Sequence, residues 1–355
     1  MTNKLKIIMA MSGGVDSSVA AHLLKEQGHE VFGVFMWKGK FTDGCGGGNA
    51  TCCGEADALD ACRVADALGI PFDVLNLETE FAELIDFFCS EYNRGRTPNP
   101  CILCNERFKF GKLFDYARKL GATHVATGHY ARIEHTAGRH QLLRGVDTNK
   151  DQSYVLFALK QDQLAHAIFP DGRLTKPEIR AIAARLNLPV KDKPESQEIC
   201  FVPDDDYGGL LRRRTPDQVR PGPVKDLDGN VLGEHPGIQF FTIGQRHGLR
   251  IAFGKPVYVV RLDAETNAVI VGPNEALMRS ELEVSSVNWM IDEPAEPIRG
   301  EAKIRYRQPA LPATVHPLPG GRARIVFDQP ARAVAPGQAA VFYQGDAVVG
   351  GGWIE

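Results

Sequence analysis

Two kinds of residue in this 355-residue chain stand where they could do chemistry. One is a glycine- and hydroxyl-rich turn near the start. The other is cysteine, in three separate stretches. The turn reads Ala10-Met11-Ser12-Gly13-Gly14-Val15-Asp16-Ser17-Ser18. Adjacent glycines let backbone N–H groups point inward, Ser12, Ser17 and Ser18 add hydroxyl donors, and a helix starting at the turn adds its positive end. Such a donor set suits a phosphate or pyrophosphate. It is not a Walker loop, which needs G-x-x-x-x-G-K-[ST]; the nearest stretch, Gly33 to Lys40, has one residue too many and no hydroxyl after the lysine.

Apart from Cys89, the cysteines lie in Cys101-Ile-Leu-Cys104, in Ile199-Cys200-Phe201, and around Cys45, Cys52, Cys53 and Cys62. Pro98 and Pro100 bias their neighbours toward extended backbone, so Thr97 to Pro100 is expected outside a helix and Cys104 near the start of one beginning about Asn105. A helix N-terminus favours thiolate. The C-x-x-C spacing is equally half of a zinc site. Cys200, in a short apolar run, taken alone reads as a buried core cysteine. The glycine- and cysteine-rich stretch from Cys45 to Cys53 reads as a mobile loop over the site at the glycine turn, with a zinc site including Cys62 as the alternative. Asp204-Asp205-Asp206 reads as a solvated acidic turn. Arg212-Arg213-Arg214 is a helix face that could grip phosphates, and His22 and His166 sit in helical patterns as structural residues.

The elements that must hold these residues alternate over positions 1 to 205. Lys6 to Met11 reads as a buried strand, and the Val19, Ala20, Leu23, Leu24 spacing as a helix stopping at Gly28. Glu30 to Met36 is a second strand. Leu59, Cys62, Ala65 and Leu68 form one helical face ending at Gly69. Phe72 to Leu77 is a third strand, Phe81 to Tyr92 and Phe108 to Leu120 are helices, and His124 to Thr127 is a further strand. This order predicts a doubly wound parallel α/β sheet, whose ligands sit at the carboxyl ends of strands. The glycine turn, Met36 and Gly128-His129 all fall at such ends. After about 205 helical periods stop and β-rich runs follow: Phe240 to Ile243, Val257 to Leu262, Val269 to Val271 and Ala302 to Tyr306. A hairpin with Asp228-Gly229 at its turn spans Val224 to Leu232. The expected parts are 1–205, 206–275 and 276–355, the last a small barrel.

Composition narrows the classes. The net charge of −3 gives no general nucleic-acid signal, so RNA would be met by local patches. No run approaches the roughly 18 apolar residues of a membrane span, and no secretory signal precedes the glycine turn. Eight cysteines in such a chain read as metal or thiol chemistry in a reducing, cytoplasmic compartment.

Ser12-Gly-Gly-Val-Asp-Ser17 resembles the PP-loop of ATP pyrophosphatases. With Asn99-Pro100, Cys104-Asn105, Thr127-Gly-His-Tyr130, Lys150-Asp-Gln-Ser-Tyr154, Ile199-Cys-Phe201, Thr242 to Gly248, Arg305-Tyr306 and Gly337 to Tyr343, in this order, the whole chain resembles the bacterial tRNA-specific 2-thiouridylases. The resemblance implies ATP-dependent sulfur insertion at C2 of the wobble uridine, with Mg²⁺. ATP would be bound by Ala10, Met11, Ser12, Gly13, Gly14, Val15, Asp16 and Ser17, with Met36 and Gly128 at the adenine end. Cys200 would carry a persulfide and Cys104 would be the nucleophile. Asn99, Pro100 and Cys101 would approach the target base, and His129, Lys150, Asp151, Gln152, Arg305, Tyr306 and Gln338 would touch tRNA. Arg307 joins Lys150 and Arg305 as a basic candidate. Implied partners are tRNAs for Lys, Glu and Gln and a cysteine desulfurase or sulfur-relay protein.

Many relatives carry an acid where this chain has Cys101. That departure opens a second route, a three-thiolate iron–sulfur cluster on Cys101, Cys104 and Cys200. Two other readings compete: a PP-loop amide-forming ligase, which needs no cysteine pair, and a zinc-bound, non-catalytic RNA-binding protein, which needs no PP-loop.

Overall fold

A strand buried on both faces has no need to alternate, and Lys6–Ala10 (β1) is apolar and buried from Ile7 onward. A computed structural model describes residues 4–39, 53–136, 138–195, 199–202, 206–249 and 256–355. The expected loop at Gly44 to Gly48 with Cys45 and Cys52, and Asp204 and Asp205, lie outside those residues. β1 is the middle strand of a parallel sheet with β2 (Glu30–Trp37), β3 (Phe72–Asn76), β4 (His124–Ala126) and β7 (Ala167–Ile168), in the order β3-β2-β1-β4-β7. The hairpin β5 (Ala131–Thr136) and β6 (Arg139–Arg144) lies between β4 and β7 in the chain. Register runs Ala10 to Val34, Met9 to Ala126, Met36 to Leu75 and Ala126 to Ile168, which aligns the strands' carboxyl ends.

Helices α1 (Val15–Glu26) and α2 (Cys53–Leu68) cover the sheet, and Val19, Ala20, Leu24, Ala61, Val64, Ala65 and Leu68 share one core with Ile7, Met9, Val31 and Phe35. Gly28 (φ +86°) and Gly69 (φ +59°) follow these helices in the left-handed region that glycine tolerates. The expected face of α2 is corrected. Leu59 is 56% exposed and the buried stripe is Ala61, Val64, Ala65 and Leu68, because small alanines that pack closely give a weaker hydrophobic signal than a lone leucine.

Helix α3 (Glu78–Asn93) leads to a second correction. Helical structure begins at Pro100, not near Asn105: it is α over Pro100–Leu103, π-helical over Cys104–Lys112 and α again over Leu113–Lys119. Proline fits the first helical position, where its missing N–H is unneeded. Cys101 therefore occupies the first turn and Cys104 the second, so the helix N-terminus does not act directly on Cys104. A π-helical stretch displaces backbone carbonyls from their usual partners, and Gln163 Nε2 donates to two of them, Glu106 at 2.9 Å and Phe110 at 2.8 Å.

The β-rich half contains two sheets. β8 (Gly222–Lys225), β9 (Val231–His235), β10 (Tyr258–Asp263) and β11 (Ala268–Gly272) order as β10-β11-β8-β9. β12 (Met278–Trp289), β13 (Ile298–Lys303), β14 (Leu311–Leu318), β15 (Arg322–Arg332), β16 (Ala339–Gln344) and β17 (Ala347–Ile354) order as β12-β15-β14-β13-β16-β17, and β12 pairs with β17 to close a barrel. Closure removes sheet edges, and Leu282, Val284, Ile325, Phe327 and Phe342 fill the interior. The expected hairpin forms, with Gly229 at φ +89°. Ile238–Phe240 is a 3₁₀ turn rather than strand, and β13 ends at Lys303, short of Tyr306. A helix, Tyr207–Arg214, also persists where helical periods were expected to stop. It is too short to show a period, and Asp206 caps it by accepting from the Gly209 N–H at 2.8 Å.

The chain forms two compact units: Met1–Glu83 with Cys101–Glu198 and Asp346–Val348, and Leu84–Pro100 with Ile199–Gly345 and Val349–Glu355.

Candidate active site

The turn after β1 is held open by its own hydroxyls. Ser17 Oγ accepts from the Ser12 N–H at 3.1 Å and lies 3.1 Å from Ser12 Oγ, while Ser18 Oγ donates to the Gly14 carbonyl at 2.7 Å. Gly14 caps α1 without a side-chain acceptor. The first-turn N–H groups thus have no internal side-chain cap and can meet an anion. Gly13 has φ +71°, and a Cβ there would stand 2.2 Å from the Asp57 carbonyl oxygen of α2. A Cβ on Gly128, just past β4, would meet the Ser17 nitrogen at 2.8 Å and Asp171 Oδ2 at 3.1 Å. Two glycines therefore let α2 and the end of β4 close on the loop. Met11 is buried, and Met36 is half-buried at the carboxyl end of β2.

Asp16 is a carboxylate with two donors on Oδ1: Lys176 Nζ at 2.6 Å and Tyr130 Oη at 2.8 Å. Lys176 also reaches Glu195 at 3.3 Å, and Glu195 pairs with Lys150 at 2.5 Å. A chain of alternating charge thus runs Asp16, Lys176, Glu195, Lys150. The hydrogen bond from Lys150, with Lys176 nearby, holds the Glu195 carboxyl below its usual range against the cost of burial. Burial and Asp16 raise the Tyr130 phenol, which stays the protonated donor. Asp171, in the turn just after β7, is wholly buried, and neither carboxyl oxygen has a hydrogen-bond partner among the described residues. Burial first, then the Asp16 charge, raise its pKa well above the carboxylate range, with Lys176 opposing. Lys193 Nζ bridges Asp57 at 2.7 Å and Asp60 at 2.6 Å on α2. Burial opposes its charge, but these two bonds raise its pKa overall.

The thiols have different surroundings. Cys101 is exposed, Cys104 half-buried and Cys200 exposed, and no disulfide joins these three to one another. The expectation of a buried Cys200 is corrected: Phe201 and Val202 are the buried residues, and Phe201 packs edge-on against Phe88 with ring centroids 5.3 Å apart. The apolar run anchors the turn and presents the thiol. Among the described residues no group of three or more His, Cys, Asp or Glu could hold a metal ion.

Residues 5–204 match the family described as the tRNA methyl transferase HUP domain, 210–273 the tRNA methyl transferase PRC-barrel domain, and 279–354 the aminomethyltransferase beta-barrel domain. The chain is 52% identical to the tRNA-specific 2-thiouridylase MnmA of Geobacter metallireducens, over 100% of this chain and 98% of that one. It is also 52% identical to the namesake from Moorella thermoacetica (98% and 99% covered) and 51% identical to that of Heliobacterium modesticaldum (99% and 92% covered). This chain belongs to the tRNA-specific 2-thiouridylase family.

The 2-thiouridylase resemblance assigns further residues to tRNA, and these occupy varied settings. His129 is buried, with Nδ1 2.6 Å from Thr127 Oγ1 and Nε2 3.4 Å from Lys109 Nζ; burial first, then Lys109, push its pKa well below the usual value. Asp151 is buried and accepts from the Gly145 and Ser153 N–H groups and the Ser153 hydroxyl. Gln152 Oε1 accepts from the Tyr130 N–H at 3.0 Å. Arg305 Nη2 donates to the carbonyls of Ile243 (2.8 Å) and Ala333 (3.0 Å), while Tyr306 and Arg307 are exposed. Asn99 is half-buried between buried Pro98 and Pro100, and Gln338 is half-buried.

Sequence reasoning missed Lys176 and Asp171, which the sheet brings beside Asp16. A signal existed for Lys176. Thr175-Lys-Pro-Glu178 is a capping box, with Glu178 accepting from the Thr175 N–H at 2.7 Å. It marks a helix start just after β7, at the edge where the glycine turn lies.

Proposed function

We propose that this protein thiolates C2 of the wobble uridine of tRNA at the expense of ATP. The observation that carries the reading is the uncapped N-terminus of α1 inside the Ser12–Ser17 loop, at the carboxyl edge of a parallel sheet. In this reading Ala10 to Ser17 cradle the triphosphate and Met36 and Gly128 flank the adenine. The Asp16 carboxylate, with the hydroxyls of Ser12 and Ser17, is an all-oxygen donor set that fits Mg²⁺. A bound Mg²⁺ would supply charge neutralisation at the phosphates. Lys176 holds Asp16 in place.

A uridine C2 oxygen is a poor leaving group. Adenylation of that oxygen releases pyrophosphate and makes AMP the group to be expelled. The incoming sulfur arrives as a persulfide on Cys200, whose outer sulfur bonds to C2. The Cys104 thiolate then attacks the Cys200 sulfur and breaks the persulfide S–S bond. The electron pair stays on the sulfur bonded to C2, AMP leaves, and a Cys104–Cys200 disulfide remains for a thiol reductant. An exposed Cys200 supports loading by a protein donor, a cysteine desulfurase or sulfur-relay protein. The wobble base must leave its stack, at a cost of a few kcal/mol. Asn99 to Cys101 receive it, and Lys150, Arg305, Tyr306 and Arg307 contact the tRNA, of the Lys, Glu and Gln acceptors, with His129, Asp151, Gln152 and Gln338 supporting them from within the fold. The parts 1–205, 206–275 and 276–355 serve as catalytic domain, central β domain and tRNA-contacting barrel of a cytoplasmic enzyme. No helix among the described residues is long and apolar enough to cross a membrane.

Methyl transfer, the chemistry in two of the matched families' names, has no use for ATP cleavage or for paired thiols. An amide-forming ligase likewise has no use for Cys104 and Cys200. The three-thiolate iron–sulfur route is the second reading, favoured by Cys101 standing three residues before Cys104. Mass spectrometry of nucleosides from tRNA incubated with the protein, ATP and a sulfur source is expected to show 2-thiouridine. ATP consumption with no thiolated nucleoside would overturn the reading.

A further inference from the structure

The turn between β15 and β16 grips the segment that precedes Asn99. The Thr97 N–H donates to the Pro336 carbonyl at 2.8 Å, and Gln338 Nε2 donates to the Thr97 carbonyl at 2.9 Å. Both backbone groups of Thr97 are thus taken by one barrel turn. Gly337 sits at φ +87°, and a Cβ there would lie 3.0 Å from the Thr97 nitrogen, 3.1 Å from Arg96 Cβ and 3.2 Å from the Thr97 oxygen. Only glycine lets the two strands of chain approach this closely.

The turn is itself fixed. The Gly337 N–H donates to the Ile354 carbonyl at 2.9 Å, and the Ile354 N–H donates to the Gln338 carbonyl at 2.8 Å. Arg96 ties the same corner, with Nε on Glu91 at 2.8 Å and Nη2 on the Ile354 carbonyl at 3.3 Å. On the other side a Cβ on Gly95 would meet Leu262 Cβ at 3.1 Å and Ile238 Cδ1 at 3.6 Å. Residues 95–97 are therefore held between the four-stranded sheet's surroundings and the barrel. From Thr97 onward, Pro98 and Pro100 fix their own φ and restrict the residue before each. Few free torsions separate the held Thr97 from Asn99.

We propose that Gln338 and Gly337 are positioning residues for the target-base segment. The barrel turn sets the backbone of Thr97 and thereby the place where Asn99 meets the uridine. This rests on the reading above that Asn99 to Cys101 face the target base. Gln338 acts through this segment on the rate, and tRNA affinity is carried by the basic side chains.

The test uses the full chain and two readouts. Gln338→Glu keeps the side-chain shape, removes the donor and sets a carboxylate oxygen against the Thr97 carbonyl; Gly337→Ala crowds the same atoms. Backbone hydrogen exchange of the protein alone is expected to speed up roughly tenfold or more at Arg96–Thr97 in Gln338→Glu, with barrel strands unchanged, as loss of one half-buried bond would produce. Single-turnover thiolation is expected to slow by about tenfold or more while the Kd for tRNA moves less than about twofold. Unchanged exchange at Thr97 would overturn the proposal, as would a loss of tRNA affinity accounting for the whole loss of rate. If barrel strands also loosen, Gln338→Met, uncharged and of similar shape, is judged by the same criteria. Absence of thiolation by the wild type would sink the functional reading alone, because exchange still reports the clamp.

Discussion

The nucleotide edge of the parallel sheet and the cysteine-bearing segments are built in opposite ways. At the sheet edge Asp16 is pinned by Lys176 and Tyr130, and Gly13 and Gly128 leave no space for a side chain. Cys200 and Cys101 instead lie exposed, each beside buried apolar residues, Phe201 and Val202 in one case and Ile102 and Leu103 in the other. The difference teaches what each step asks of the protein. Charge stabilisation at phosphates gains from donors that need not reorganise. In the proposed reaction a sulfur carrier has to be reached by a donor, attack a base and be attacked by a second thiol, so it would need access and nucleophilicity instead of a fixed cradle.

The largest effects are expected from breaking the open side of this comparison. Cys104→Ser and Cys200→Ser should each abolish 2-thiouridine formation in the nucleoside assay, while ATP binding persists. A Cys200→Ser protein thiolating at the wild-type rate would contradict both sulfur routes. Cys101→Ser separates them. A modest loss, alike in aerobic and anaerobic preparations, fits the persulfide route. Iron, sulfide and a visible absorption band present in anaerobic wild type and missing from the variant fit the cluster.

Breaking the closed side comes next. Asp16→Ala should reduce pyrophosphate release by at least about a hundredfold and leave tRNA binding intact. Removing the carboxylate also leaves the largely buried Lys176 with Glu195 as its ion-pair partner among the described residues, a stability cost of about 1–2 kcal/mol given Asp16's partial exposure. Denaturant titration would read that cost, and normal pyrophosphate release would remove Asp16 from the mechanism.

A smaller effect is expected at the basic surface. Arg305 holds two backbone carbonyls, so reversing its charge would disturb the fold as well as any phosphate contact. Exposed Arg307 is the cleaner probe. Arg307→Glu should weaken tRNA binding by about tenfold and lower the slope of log K against log salt by about 1. An unchanged slope would show that Arg307 meets no phosphate.

The smallest effect concerns Asp171. Its folded-state pKa is raised, so the folded protein keeps the proton to higher pH than the unfolded chain does. That contribution to stability is complete below the ordinary carboxylate range and is lost as pH rises toward the raised value. Asp171→Asn should therefore raise Tm by a few degrees at neutral and alkaline pH and change it little at acid pH. Parallel Tm profiles for the two proteins would show that Asp171 does not set this dependence.

The sheet, its strand order of appearance and the glycine turn after β1 were legible because they rest on local facts. An unbroken apolar run, adjacent glycines and a helix stopped by Gly28 or Gly69 carry their meaning within a dozen residues. The helix start at Pro100 was misplaced because proline reads as a breaker unless its position at the first turn is known. Cys200 taken alone reads as buried because composition cannot separate neighbours within an apolar run; burial is a property of the turn's packing, and Phe201 and Val202 took the buried places.

The sequence by itself determined which groups are available to the proposed chemistry: glycines and hydroxyls at Ser12–Ser17, cysteines at 104 and 200, and a β-rich second half. Only the tertiary structure decided who stands beside whom. Lys176 reaches Asp16 across 160 positions of chain, and Gln338 reaches Thr97 across 241. Such contacts follow from strand order and barrel closure, which no periodicity records, because the hydrophobic burial that drives them is blind to which polar residues it carries together.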